Sequence, residues 1–490
     1  MQKETQKTEI SEKEAGEEKK IEFEEKLVET NHTIRINGEE IPYRAAAGTI
    51  PLKEDERKFK AAIFYTAYTR TDITDVSNRP LIFAFNGGPG SSSAWLHLGM
   101  LGPKRVILEQ DSAILPPPYL MEDNPYSLLD RADMVFIDPV STGYSRPAPD
   151  NEEPKEFHGI QKDIESVAEF IRIYTSRSQR WSSPKYLAGE SYGTTRAAGL
   201  SGYLQERFGL YLNGIILIST ILNFQSAKFD PGNDLPYVLF LPTYAASAWY
   251  HNCIDREKYP ELMPFLKEVR QYAETEYLLA LMQGSNLSKK DRTSVVKKLH
   301  SYTGLSEEYL YQTDLRIQIF RFTKQLLRSQ GKTIGRLDSR YTGLDRDSAG
   351  EVPEFDPSYA LILGAYTAAM NDYLRSELQF ESDAVYEILT GLYENWDYST
   401  YQNRYVNVAE TLRSAMSQNP YLRVFVANGY FDLATPFAAT DYTFTHLGLD
   451  SSLNSNITTC YYPAGHMIYI HTPSLSTLKT DLAAFLGGSS

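Results

Sequence analysis

Lys185-Tyr186-Leu187-Ala188-Gly189-Glu190-Ser191-Tyr192-Gly193 is an apolar run that ends in the pattern G-x-S-x-G. Lys185 to Ala188 predicts a strand, and the helix formers from Arg196 to Gln205 predict a helix directly after it. A serine between the two sits on a sharp strand-to-helix turn, with small residues two positions away on each side to prevent a clash. The same pattern also serves as an ordinary turn. A nucleophile at Ser191 needs a base, an orienting acid and an oxyanion hole elsewhere in the chain.

Working outward, Leu81-Ile82-Phe83-Ala84-Phe85 predicts a strand that stops at Asn86-Gly87-Gly88-Pro89-Gly90. Met134 to Ile137 predicts another, ending at Asp138-Pro139, and Gly214 to Ile218 a further one. Between them Ile160, Ile164, Val167, Ala168 and Ile171 recur at helical spacing. Continuous apolar strands interleaved with helices predict an α/β fold, a mostly parallel sheet covered on both faces. From about 226 to 404 strand signals are scarce. Leu262, Leu266, Val269 and Ala273 keep helical spacing, and Ser306 to Gln330 reads as helical throughout. Strand signals return at Leu422 to Val426 and Thr458 to Tyr462, and Leu475 to Leu486 predicts a last helix. The expected organisation is a core of 31–225 and 405–490, split by a helical cap over 226–404. The first thirty residues, with ten Glu and six Lys, predict a frayed or partly helical extension.

The acid and base must follow the serine in the order Ser, Asp/Glu, His for this kind of turn. Of eight histidines, His251, His300, His446, His466 and His471 lie downstream of Ser191. His466, in Pro463-Ala464-Gly465-His466, follows the strand ending at Tyr462. Asp432 likewise follows the strand that ends near Ala427. The glycine-rich loop at 86–90 also follows a strand, where its backbone can aim N–H groups at a developing oxyanion. Each such donor stabilises the transition state by roughly 3 kcal/mol. The expected donors are the N–H groups of Gly88 and Tyr192.

The 490 residues are 42% apolar and 23% charged, a globular composition, and the net charge of −14 disfavours a dedicated nucleic-acid binder. No apolar run approaches the roughly 18 residues needed to cross a bilayer. The charged opening has no signal-peptide pattern, so the chain as written predicts a cytoplasmic protein, or a secreted one if a leader was removed. Two cysteines, Cys253 and Cys460, exclude a disulfide framework and a cysteine-rich zinc site; they read as inert thiols or one bridge.

Asn86 to Ser93, Asn124 to Ser127, Asp138 to Ser145 (DPVSTGYS), Gly189 to Gly193 and Ala464 to Met467 together resemble the serine carboxypeptidases of the α/β-hydrolase superfamily. The resemblance implies Ser191 as nucleophile, His466 as base and Asp432 as orienting acid, with an acyl-enzyme intermediate and neither metal nor cofactor. It implies a peptide or small acyl substrate, whose terminal carboxylate is bound by Asn86, the backbone of Gly87 and Glu190. Glu190 must be protonated to donate to that carboxylate, so burial must raise its pKa. Met467 matches a position near the leaving-group pocket. Three positions depart from the family pattern W-x-N-G-G-P-G-C-S-S and its second glutamate. Ala84 stands for the Trp, Ser91 for the Cys, and Met100, fourteen residues after Asn86, for the glutamate that pairs with Glu190. Arg196 is a candidate to replace that partner. An esterase or acyltransferase on the same scaffold, or a non-catalytic binding protein, are the alternatives. Asp345, Asp347, Gly350 and Asp356 fall at calcium-loop positions, but Ala349 and a missing final Glu break that pattern, leaving a solvated acidic loop. Trp95, His97, Tyr244 and Tyr250 are read chiefly as packing residues, with a place in the cleft or pocket as the alternative.

Overall fold

A computed structural model describes residues 25–54, 58–108, 116–149 and 154–487. Its main sheet contains β1 (Leu27–Ile36), β2 (Glu39–Glu54), β3 (Lys58–Arg70), β4 (Leu81–Phe85), β5 (Asp133–Ile137), β6 (Lys185–Ser191), β7 (Gly214–Thr220), β8 (Arg423–Gly429) and β9 (Ile457–Tyr462). They lie side by side in the order β1-β2-β3-β5-β4-β6-β7-β8-β9. The first three strands and the β3–β5 pair are antiparallel. From β5 to β9 every neighbour is parallel. This is the α/β-hydrolase architecture.

The described helices of ten or more residues are α1 (Ile160–Arg177), α2 (Tyr192–Phe208), α3 (Leu235–Tyr250), α4 (Leu262–Tyr272), α5 (Lys289–Thr303), α6 (Pro357–Ser376), α7 (Ala409–Gln418) and α8 (Thr472–Gly487). Successive strand residues point to opposite faces, which is why the central strands are apolar throughout. Ile82, Met134, Tyr186, Ile216 and Phe425 face a core shared with α6 and α8. Their neighbours Phe83, Val135, Leu187, Leu217 and Val424 face a second core shared with α1, α2 and α7.

The inserted segment divides between two bodies. Helices α3 to α5 build a third apolar cluster around Tyr244, Phe265 and Val296, which also takes in Phe431 and Leu433 on either side of Asp432. Helix α6, inside the span expected to form the cap, instead packs Leu361, Tyr366 and Tyr373 into the sheet core. The stretch expected to be helical from Ser306 to Gln330 is broken into Glu307–Gln312, Ile319–Gln325 and a 3-10 turn at Arg328–Gln330. The break falls at Asp314 and Leu315, with φ of 48° and 67°, where the chain turns to bury Leu315 and Ile317 in the cap cluster. Of the expected charged extension, residues 1–24 lie outside the described residues, and Leu27 to Thr30 already belong to β1.

Candidate active site

All the loops that matter leave the C-terminal ends of the parallel strands, where open α/β sheets bind ligands. Ser191 ends β6 and precedes α2 with φ 60° and ψ −129°, a conformation costly for a residue with a side chain. The turn closes because a Cβ on Gly189 would overlap the Gly193 carbonyl, so no larger residue fits. A Cβ on Gly87 would likewise overlap the Tyr192 amide nitrogen, so the 86–90 loop lies directly against the turn. Tyr192 is the first residue of α2, and its N–H has no partner within the helix. Gly88, with φ 102°, follows the point of contact and stands beside it.

Asp432 and His466 come from the loops after β8 and β9. His466 Nδ1 lies 2.8 Å from Asp432 Oδ2. Asp432 is fully buried; its Oδ1 accepts from the amides of Ala434 (2.8 Å) and Thr435 (3.0 Å), and its Oδ2 from the Thr435 hydroxyl at 2.6 Å. An acceptor this well supplied holds the proton of the imidazole on Nδ1 and leaves Nε2 as the basic nitrogen. The His466 backbone is tied at both ends, its N–H donating to the Leu337 carbonyl (2.7 Å) and its carbonyl accepting from the Ser219 hydroxyl (2.6 Å). Ser219 precedes Thr220, which pairs in register with Ser191, so the imidazole loop is held beside the serine. Among the described residues no hydrogen bond joins Ser191 to His466; that contact is the one acylation must make. Burial pulls the His466 pKa down, but Asp432 and Glu190 outweigh it and raise it above the ordinary imidazole value.

Glu190 is buried, and burial lifts its carboxyl to about 7, against the opposing pull of His466. Asn86 faces it. The Asn86 Oδ1 accepts from the Leu96 amide at 3.0 Å, which fixes the side chain and turns Nδ2 toward Glu190. Asn86 Nδ2 and Glu190 Oε2 are both buried and near one another, and neither completes a well-formed hydrogen bond among the described residues. A buried donor beside a buried carboxyl, neither fully satisfied, is a costly arrangement unless a polar ligand completes it.

The family model for serine carboxypeptidases matches residues 38–469. The chain belongs to the serine carboxypeptidase family. Among curated proteins it is similar to serine carboxypeptidase-like 50 of Arabidopsis thaliana, 24% identical over 281 residues. That match covers 56% of this chain and 56% of the plant protein. It is also similar to the pheromone-processing carboxypeptidase KEX1 of Saccharomyces cerevisiae, 31% identical over 156 residues, or 30% of this chain and 20% of the yeast protein. The matches therefore span about half the length of the plant relative and a fifth of the yeast one. The crystal structure of the yeast prohormone-processing carboxypeptidase Kex1(delta)p shares the fold, with a TM-score of 0.55 at 16% identity, covering 90% of this chain and 91% of that one.

Against the serine carboxypeptidase pattern, each departure has a visible consequence. Ala84 is buried in the sheet core. Ser91 accepts from the Trp95 indole at 2.8 Å, so Trp95 is a packing residue. Cys253 and Cys460 are both free thiols. Met100 lies in the sheet core, 2% exposed, and carries no polar group toward Glu190. Arg196 does not replace the missing acid. It is 1% exposed, with Nε on Asp163 (2.8 Å) and Nη1 on the Asn86 carbonyl (2.6 Å), so it braces the backbone of the 86–90 loop. Met467 is buried in the sheet core. His97 contacts the Tyr68 hydroxyl at 2.6 Å inside that core, and Tyr244 donates to the Ile317 carbonyl inside the cap cluster. Tyr250 packs edge-on against Phe431. The acidic loop is not simply solvated: Asp345 is buried in an ion pair with Lys324, and Asp356 caps α6. Among the described residues no group of three His, Cys, Asp or Glu is placed to hold a metal, and no helix is long and apolar enough to cross a membrane.

Three supporting residues escaped the sequence reading. Thr435 and Ser219 position Asp432 and His466, and Tyr469, three residues past His466, faces Glu190. Only their tertiary placement marks them.

Proposed function

We propose that this chain is a serine-type carboxypeptidase that removes C-terminal residues from peptides through an acyl-enzyme. The observation that carries the reading is the buried, incompletely satisfied pair of Asn86 Nδ2 and Glu190 Oε2 next to the serine turn. Ser191 Oγ attacks the scissile carbonyl carbon while its proton passes to His466 Nε2. The electron pair displaced onto the carbonyl oxygen is held by the N–H groups of Gly88 and Tyr192. Asp432 stabilises the imidazolium, which then returns the proton to the leaving amine as the C–N bond breaks. Water, deprotonated by His466, repeats the sequence on the ester and restores the Ser191 hydroxyl. No step needs a metal or cofactor.

The terminal carboxylate distinguishes this from general acyl transfer. Asn86, the Gly87 backbone and Glu190 are the groups that bind it, and Glu190 donates only while protonated, below its pKa of about 7. That value suits work at near-neutral as well as acidic pH, in the cytoplasm or in an export compartment. Met100 in place of a second acid favours one other reading, an esterase or acyltransferase on the same triad. Fluorophosphonate labelling should modify wild type and not Ser191→Ala, and a peptide ladder should show stepwise loss of C-terminal residues. Labelling with ester cleavage but no ladder would point to the esterase, and no labelling to a silent fold.

A further inference from the structure

The group that stands beside Glu190 where the resemblance implies a second carboxyl is a phenol. Tyr469 sits in the 3-10 turn Ile468–Ile470 that follows His466, with its ring buried in the sheet core. Its hydroxyl is buried and lies near the Asn86 amide and the Glu190 carboxyl without a well-formed hydrogen bond to either, the same condition as Asn86 Nδ2 and Glu190 Oε2. The three atoms converge, since the phenol and the amide both act on the Glu190 carboxyl and the amide acts on the phenol. Space for the ring comes from Gly99: a Cβ there would overlap the Tyr469 ring and approach the Tyr366 hydroxyl to 2.6 Å. Gly99 is the neighbour of Met100, so the residue that makes room for the phenol adjoins the one that stands in the second acid's place.

We propose that the Tyr469 hydroxyl is the third donor of the carboxylate pocket, so that one acid, one amide and one phenol bind the terminal carboxylate of the substrate. This rests on the carboxypeptidase reading above. The chemistry is balanced without a second acid. Asn86 and Tyr469 each supply one hydrogen, and neutral Glu190 supplies a third without adding charge, so the carboxylate keeps the only negative charge in the pocket. Tyr469 keeps its hydrogen throughout, because burial and the nearby Glu190 hold its pKa well above the ordinary phenol value. Tyr469 is thereby a specificity-determining residue: it reads the free C-terminus and takes no proton in the reaction.

The test compares wild type with Tyr469→Phe, which keeps the ring over Gly99; Tyr469→Met serves if the first variant does not fold. The substrates are an N-blocked dipeptide and its methyl ester, and the dipeptide is also assayed as a competitive inhibitor of ester cleavage. We expect KM and the inhibition constant for the free acid to rise about tenfold or more, with ester turnover within about twofold, as for loss of one hydrogen bond to a charged group. The groups facing Glu190 are His466, Asp432, Asn86, Tyr469 and Tyr366. The phenol favours the ionised carboxyl, so its loss should also move the alkaline limit of free-acid turnover upward. An unchanged acid-to-ester ratio, or an equal loss on both substrates, would overturn the assignment of Tyr469. Indifference of the wild type itself to the free carboxylate would overturn the carboxypeptidase reading, and this inference with it.

Discussion

At the scale of single residues, His466 and Glu190 set opposite limits on pH. His466 must be neutral to accept the serine proton, and its pKa lies above the ordinary imidazole value, so turnover rises as pH climbs through it. Glu190 must be neutral to donate to a carboxylate, so free-acid turnover falls as pH rises through about 7. The two groups interact, and the limits a rate profile reports belong to the pair. Replacing Glu190 with Gln removes an anion that favours the imidazolium. The acid limb for a neutral ester should then move to lower pH, which a pH–rate profile of kcat/KM would show. An acid limb moved upward would contradict that coupling. The positions proposed for the triad were legible in the sequence because Ser191, Asp432 and His466 each lie at or just past the end of a signalled strand, and chain order restricts the choice. Tyr469 was not legible, because its meaning depends on Gly99, some 370 residues earlier in the chain. The place of Arg196, only a candidate for the missing partner, was not legible for the same reason: its distance along the chain from Ser191 says nothing about Asp163, which captures it.

Among the elements, the contact between the loop after β4 and the start of α2 is the most demanding. Gly87 lies against the Tyr192 amide so closely that Gly87→Ala must push the two loops apart. Displacing an oxyanion donor in this way should lower kcat by about 10²–10³. Ester kinetics and a thermal melt on the same variant separate this from unfolding, since the melt should change far less than the rate. The central strands and the helices after them were legible through their apolar runs. The antiparallel strands β1 to β3 were missed, although one strong signal was present. Asn37-Gly38 forms the β1–β2 turn with φ of 50° and 83°, the conformation that favours Asn-Gly in two-residue hairpins. The surrounding strand is mostly polar and charged, which hid it. The false continuous helix over 306–330 has the converse cause: helix-compatible residues were overridden by the burial of Leu315 and Ile317.

Across the whole molecule, stability and chemistry occupy opposite ends of the sheet. Asp133 opens β5 at the end away from the site and is buried with Arg79 (2.7 Å) and Arg180 (2.5 Å). Removing it with Asp133→Ala leaves two buried guanidinium groups uncompensated, which should cost about 3–5 kcal/mol. Denaturant unfolding would measure that loss, and kcat/KM of the folded variant should stay within about twofold. The insertion, by contrast, reaches the chemistry: Arg336 and Ser339 bond the backbone of Leu433 and Phe431, and Leu337 bonds His466. Residues 336–339 of the insertion therefore help to hold the backbone around Asp432 and His466, a link that hydrophobic periodicity along the chain cannot express. The central claim is that a neutral Glu190 reads a free C-terminus for a serine nucleophile. Its most direct test is kcat/KM for an N-blocked dipeptide against its C-terminal amide, from about pH 4 to 9, with Ser191→Ala as the blank. The account predicts a strong preference for the free acid that fades, and gives way to the amide, as pH rises through about 7. A ratio that does not change with pH, or a preference for the amide throughout, would contradict it.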